Sequence, residues 1–135
     1  MKAMADQKLL AVSSIVVNPD GKVLLRKRTK DPDQGKWELI AGYVNPGERL
    51  TEAVERRLRD KAGIGSTDSI EFTGKYYDDP DRHPDQPCIP LTFVVKTSEP
   101  GGGEENELQW FDPSEIDGLE IALDNKQVIR DAGAV

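Results

Sequence analysis

The feature that most constrains this fold is a helix whose apolar stripe carries positive charges. The turn Asn45-Pro46-Gly47 precedes it, residues 50–62 contain neither Gly nor Pro, and Gly63 is a typical helix stop. A period of 3.6 residues per turn puts these side chains on one side: Leu50, Val54, Arg57, Leu58 and Lys61. Such a stripe packs against another layer, where an unpaired charge is costly. Arg57 and Lys61 therefore serve either a ligand or the rim, which long side chains reach by snorkelling.

The opposite side of the same helix predicts a solvated surface. It carries two acid-before-base pairs four residues apart, Glu52 with Arg56 and Glu55 with Arg59. Each such pair stabilises an isolated helix by about 0.2–0.5 kcal/mol. We therefore expect these four side chains to pair with each other in solvent.

Short β-rich runs on both sides of this helix predict a mixed sheet. The expected strands are 9–17, 22–26, 37–44, 69–77, 89–97 and 108–111, and a closing helix is expected at 124–132. The turn at 18–21 makes the first two strands a hairpin, and a Gly-rich bend lies at 101–103. Strands and helices interleave without a strict βαβ rhythm, so we expect an α/β fold with helices on the faces of a mixed sheet.

Composition limits the classes of partner. The 135 residues fit one domain, 1–135, and the net charge of −7 disfavours a nucleic acid polymer, although a local cluster can still bind a small anion. Cys88 is the single cysteine, which excludes an intrachain disulfide, and the first ten residues lack the apolar run of a signal peptide or membrane span. We expect a cytoplasmic protein with no membrane partner, and the sequence leaves a homodimer open.

The spacing GYVNPGERLTEAVERRLRDKAGI from Gly42 to Ile64 resembles the Nudix box of the MutT-like Nudix hydrolases. The positions in register are Gly42, Glu48, Arg56, Leu58, Gly63 and Ile64. The resemblance implies a Nudix fold, an α/β/α sandwich around a mixed central sheet. It also implies hydrolysis of a nucleoside diphosphate linked to another moiety, with Mg²⁺ as the cofactor that neutralises the pyrophosphate and activates water.

This box departs from the family pattern at the metal-binding positions. Where the family has three glutamates, the chain has Arg57, Asp60 and Lys61, so two carboxylates are replaced by cations. Mg²⁺ prefers oxygen ligands, and the resemblance leaves Asp60 and Glu48 as weak metal ligands. By the same resemblance, the candidate catalytic residues are Glu48, Asp60 and Glu107, the last lying three residues before Trp110.

Two further segments bear on the substrate. The stretch from Tyr76 to Val95 resembles the ADP-ribose pyrophosphatases at Asp79, Pro80, Arg82 and Pro84, but not at His83 and Asp85. The candidate substrate-binding residues are Arg26, Arg28, Arg57, Lys61 and Arg82. For Arg26 and Arg28 a charged strand end is the alternative, and for the loop around Arg82 the alternative is a structural role.

The sequence therefore predicts a Nudix hydrolase-like protein for a small-molecule nucleotide of the ADP-ribose type, with reduced pyrophosphate hydrolysis. The alternative is a non-catalytic nucleotide-binding or ADP-ribose-binding module. In that alternative Arg57 and Lys61 replace the metal charge and hold the pyrophosphate directly through charge-assisted hydrogen bonds.

Overall fold

The computed structural model describes residues 9–31, 33–79, 88–102, 107–122 and 124–133. The strands are β1 (Leu9–Val17), β2 (Val23–Lys27), β3 (Trp37–Glu38), β4 (Ile40–Tyr43), β5 (Ser69–Tyr76), β6 (Cys88–Lys96) and β7 (Leu108–Phe111). Helix α1 is Leu50–Ala62, a 3-10 helix is Pro113–Gly118, and helix α2 is Asn125–Asp131. Within these ranges no helix is long and apolar enough to cross a bilayer.

The strands form one mixed sheet in the order β3-β2-β1-β6-β5, with β4 also paired to β1 and β7 to β2. Strand β1 runs parallel to β6 and antiparallel to β2 and β4. Helix α1 covers one face through Val54 and Leu58, which pack against Val12 and Val16. The 3-10 helix and α2 cover the other face. This arrangement confirms the predicted α/β/α sandwich.

Helix α1 begins and ends where the sequence predicts. Gly63 has φ +64°, a left-handed conformation that glycine adopts without a Cβ penalty, and its amide closes the helix on the carbonyl of Arg59. The predicted Gly-rich bend completes this end of α1, because the amide of Gly102 donates to the carbonyl of Ala62 at 2.8 Å. A Cβ on Gly63 would lie 2.2 Å from the Gly102 oxygen, so the approach requires glycine.

The predicted pairing on the outer side of α1 is wrong for Arg56. Its guanidinium binds Glu48, eight residues earlier, while the carboxylate of Glu52 accepts from the amide of Arg49. Glu52 is drawn to the unpaired amides of the first helical turn, which need an acceptor. Arg56 is thus free to reach the loop before the helix.

The predicted strand 37–44 is two strands separated by Leu39. The amide of Leu39 donates to Oδ1 of Asn125 at 2.9 Å instead of continuing a strand ladder. Glu38 therefore stays paired with β2, whereas Ile40 begins the pairing with β1. This branch places the end of β2, all of β4 and one side of α1 next to each other.

Candidate functional site

The free edge of β4 is the base of the site. The amide of Val44 donates to the carbonyl of Leu10, and the β1 register then assigns Gly42 and Ile40 to the hydrogen-bonded positions. Because alternate residues of an antiparallel strand point their backbone groups to opposite edges, the carbonyls of Ala41 and Tyr43 point away from β1. Two carbonyl oxygens therefore face helix α1.

Both of these oxygens accept hydrogen bonds from cationic side chains of α1. The ammonium group of Lys61 donates to the carbonyl of Ala41 in a short hydrogen bond. Nη2 of Arg57 donates to the carbonyl of Tyr43 at 3.1 Å. The prediction that Arg57 and Lys61 face the sheet is confirmed, and both side chains are partly buried there.

Gly42 makes room for Arg57. A Cβ at Gly42 would lie 2.2 Å from Nε of Arg57 and 2.6 Å from Cζ, so the guanidinium lies directly against the strand backbone. Any other residue would displace it. The box glycine in this chain therefore positions a guanidinium.

The end of β2 brings two more cations. Nη1 of Arg26 donates to Oε2 of Glu38 at 3.2 Å, and Nη1 of Arg28 donates to Oε1 at 3.0 Å. The side chains of Arg26, Arg28 and Glu38 are only 18%, 13% and 14% exposed. Strand β3 positions Glu38 directly opposite Arg26 in the β2–β3 pairing.

Electrostatic coupling joins the two groups of cations. Burial lowers the pKa of Lys61, and the nearby charges of Arg57, Arg26 and Arg28 lower it further, while Glu38 opposes this shift. Burial also lowers the pKa of Arg57. We call Arg26, Arg28, Arg57 and Lys61, with Glu38, the cationic cluster.

The cationic cluster has more cations than carboxylates and has unsatisfied donors. Among the described residues it consists of four cations and one carboxylate, on a chain whose net charge is −7. Nε of Arg26 and Nε of Arg57 are buried and have no hydrogen-bond acceptor within the described ranges. Buried donors of this kind normally find a partner, so the cluster is suited to an anion.

Glu48, a predicted catalytic acid, forms hydrogen bonds with Arg56 and with the backbone of Asn45. Its carboxylate accepts from Nε of Arg56 at 2.7 Å and from Nη2 at 2.8 Å, and it also accepts from the amide of Asn45 at 3.0 Å. The Arg56 hydrogen bond, followed by that of the Asn45 amide, lowers the pKa of Glu48 from 4.5 to about 2. Glu48 closes the loop before α1 onto the helix.

The other predicted acids do not join Glu48. Asp60 is exposed on α1, where its charge acts on Arg56 and Arg57. Glu107 lies opposite Lys27, 3.6 Å from its ammonium group, and is 68% exposed. Lys27 packs over Trp37 on the sheet face that α2 covers, so the strand alternation separates Glu107 from the cationic cluster. Arg82 lies outside the described residues.

Glu38 is the site residue that sequence reasoning missed. The available signal was the strand run Trp37-Glu38 close after Arg26 and Arg28, in which alternation could place an acid beside two bases. The β2–β3 register, which pairs Arg26 with Glu38, brings them together.

Mg²⁺, which the resemblance implies, does not fit these residues. Within the described ranges no three Asp, Glu, His or Cys side chains form a group that could hold a metal ion. The carbonyl oxygens of Ala41 and Tyr43, which would suit a hard cation, already accept from Lys61 and Arg57. Arg57 keeps its charge and repels a divalent ion.

Comparison with known proteins identifies the fold. The sequence model of the NUDIX domain matches residues 7–132. An ADP-ribose pyrophosphatase of Methanocaldococcus jannaschii is 29% identical over 119 residues, covering 86% of this chain and 68% of the relative. The NUDIX domain of Shewanella oneidensis NrtR, solved with ADP ribose, matches with a TM-score of 0.81 at 21% identity, covering 93% of this chain and 86% of that one.

A structure of Shewanella oneidensis NrtR with a 27mer DNA also matches, with a TM-score of 0.75 at 21% identity. The match covers 93% of this chain and 60% of that chain. At such identities the structural matches establish the fold and carry no ligand contact. Together with the family match, they confirm the fold that the box spacing predicts.

Proposed function

Because the chain belongs to the NUDIX domain family, we propose that it binds a nucleoside diphosphate linked to another moiety, of the ADP-ribose type. The pyrophosphate lies at the cationic cluster, and its hydrolysis is reduced. The observation that carries this proposal is the pair of buried Nε donors of Arg26 and Arg57, which face no acceptor within the described residues and lie in a cluster rich in cations. Diphosphates supply both the negative charge and the acceptor oxygens.

The relatives support the substrate class. The Methanocaldococcus jannaschii relative is an ADP-ribose pyrophosphatase, and the Shewanella oneidensis NUDIX domain was solved with ADP ribose. The negative net charge of this chain favours a small anion over a polymer, because polymer binding normally needs an extended basic surface. The cationic cluster is local and partly buried, as a small-ligand site should be.

Reduced hydrolysis follows from the charge at α1. Metal ions contribute several kcal/mol to pyrophosphate cleavage by stabilising the charge of the transition state and by activating water. In this chain Arg57 and Lys61 can stabilise phosphate charge, but neither group activates a water molecule as a metal does. Binding should therefore persist where turnover is slow.

A non-catalytic binding module is the second candidate. The contacts of Lys61 with Ala41 and of Arg57 with Tyr43 favour it, since these cations donate to the strand-edge oxygens that would suit a metal ion. The two candidates share the ligand and differ in turnover alone. One set of assays on the purified protein separates them.

We expect ADP-ribose to bind in the presence of a metal chelator and to be hydrolysed with Mg²⁺ at well below about one turnover per second, the lower end of ordinary enzymes. Calorimetry measures the binding, and release of AMP measures the turnover. Slow release above a no-protein control supports the weakened hydrolase, and none supports the binding module. Turnover at or above that rate would show that Arg57 and Lys61 do not reduce hydrolysis as proposed. If ADP-ribose did not bind in chelator, the cationic cluster would not be the ligand site.

A further inference from the structure

Glu38 occupies the cationic cluster in the way that a ligand oxyanion would. Its two carboxylate oxygens accept from two different guanidinium groups, at 3.2 Å from Arg26 and 3.0 Å from Arg28. Arginine pairs hold phosphate with the same kind of charge-assisted bonds. The two arginines of β2 are thus bound to an internal anion in this structure.

In the part of the chain that the structure describes, no carboxylate forms a hydrogen bond with Arg57 or Lys61. Arg57 and Lys61 donate to the neutral carbonyls of Tyr43 and Ala41, and the Glu38 charge reaches Lys61 only across space. An entering diphosphate therefore meets unneutralised charge on the α1 side and a competing carboxylate on the β2 side. Two like charges in one partly buried cluster repel, so the ligand and Glu38 cannot both use Arg26 and Arg28 fully.

We propose that Glu38 is a built-in competitor that sets the charge the ligand must carry. The ligand has to replace Glu38 at Arg26 or Arg28 while it binds Arg57 and Lys61. A diphosphate has enough charge and oxygen atoms for both sides, whereas a single phosphate satisfies one side and leaves Glu38 in place. Glu38 therefore lowers the affinity of a diphosphate, which must replace it, more than that of a single phosphate, which need not. This inference rests on the proposed function, because it assumes that the cluster binds a phosphate anion.

The test compares inorganic pyrophosphate with orthophosphate in chelator, using calorimetry on the parent protein and on Glu38→Gln. Removing the competing charge should raise pyrophosphate affinity about three- to tenfold, the effect of one partly screened neighbouring charge. It should raise orthophosphate affinity less, because a single phosphate leaves Glu38 in place, so that the preference for pyrophosphate widens. Asp117→Asn is the matched control, since it removes one negative charge at the exposed Arg130 pair and should change neither affinity.

A second variant and a structure of the parent test the proposal if Glu38→Gln does not fold. Glu38→Ala should give the same widening, and a crystal structure of the parent with pyrophosphate should show the Glu38 contact to Arg26 or Arg28 broken. Unchanged or weaker affinities in the folded Glu38 variants, or an intact Glu38 bridge beside bound pyrophosphate, would overturn the competitor role and leave the proposed function standing. Absence of pyrophosphate binding in parent and variants alike would overturn both.

Discussion

Arg56 and Arg57 are consecutive residues of helix α1, and both donate to the carbonyl oxygen of Tyr43. Arg56 also forms two hydrogen bonds with the carboxylate of Glu48, at 2.7 and 2.8 Å. Arg57 has no comparable carboxylate contact in the described part of the chain, and its buried Nε lacks an acceptor there. The first arginine is neutralised within the fold and the second is not.

This difference in neutralisation indicates a structural role for Arg56 and a ligand-binding role for Arg57. A bidentate arginine–carboxylate pair fixes geometry and leaves little capacity to bind anything else, so the Glu48–Arg56 pair holds the loop to α1. A guanidinium that ends on a neutral carbonyl keeps its charge and free donor capacity. We therefore propose that neighbouring positions of one helix, rotated by about 100°, serve structure and ligand binding separately. The following predictions test that separation.

The largest expected effect is a gain of turnover on restoring the family carboxylates. Arg57→Glu, Asp60→Glu and Lys61→Glu together should free the Ala41 carbonyl, leave the Tyr43 carbonyl with Arg56 as its one remaining α1 donor, and provide three carboxylates on this helix. We expect Mg²⁺-dependent hydrolysis of ADP-ribose to rise by at least about a hundredfold, because metal supplies several kcal/mol and 1.36 kcal/mol is tenfold in rate. AMP release with and without Mg²⁺ measures it.

The control for this variant is Arg59→Glu, which adds a carboxylate to the exposed side of the same helix and should leave turnover unchanged. Circular dichroism and a Mg²⁺ titration establish that the triple variant is folded and binds metal. If it is folded, binds Mg²⁺ and nucleotide, and is still inert, the defect lies outside α1. His83 and Asp85, where the loop departs from the family pattern, would be the next positions to change.

The second effect is a loss of metal-free affinity on changing Arg57. Arg57→Ala should weaken ADP-ribose binding in chelator by about 1.5–3 kcal/mol, the usual range for hydrogen bonds to charged groups, and the loss should shrink as salt is raised. Arg59→Ala, on the exposed side of α1, is the matched control for charge. Calorimetry at two salt concentrations measures both. Equal affinity in the parent and Arg57→Ala would remove Arg57 from the ligand site.

Gly42→Ala separates the effect of the position of the Arg57 guanidinium from the effect of its charge. Its Cβ would lie 2.2 Å from Nε of Arg57, so the guanidinium must move although the charge stays in the cluster. We expect a smaller affinity loss than for Arg57→Ala, with unchanged salt dependence. A loss as large as that of Arg57→Ala would mean that placement alone accounts for the Arg57 contribution.

The fold could be predicted where local signals end an element. Helix α1 and strand β7 have the predicted bounds because glycine, proline and polar residues flank them. The break at Leu39 could not be predicted, since it depends on Asn125, 86 residues later in the chain. The 3-10 helix at Pro113–Gly118 was not predicted either, although Asp112 and Glu115 form its capping box and Pro113 is its first residue.

Part of the site could be predicted and part could not. The resemblance marked Arg57 and Lys61, because a charge replaced a carboxylate at a position in register, and the structure brings them together with Arg26 and Arg28. It marked Glu48 as a catalytic acid, a role that stays a prediction and competes with the Arg56 pair. Glu38 was missed because only the register of β2 with β3 places it between two arginines.

The smallest expected effect concerns the neutralised half of the comparison, the Glu48–Arg56 pair. The hydrogen bond from Arg56, then that from the Asn45 amide, lowers the pKa of Glu48 from 4.5 to about 2. A carboxylate with a lower pKa in the folded state stabilises the fold above the unfolded value, and this contribution is lost as pH falls from about 4.5 to about 2. Glu48→Gln should therefore lower the midpoint of urea unfolding at pH 6, and the difference in midpoint from the parent should disappear towards pH 2.

The control is Glu55→Gln, at an exposed position of α1, whose urea midpoint should equal that of the parent at every pH. A gap that stays constant between pH 6 and pH 2 would show that the pair contributes through packing rather than through the Glu48 charge, and the division between a neutralised Arg56 and a charged Arg57 would no longer explain their roles.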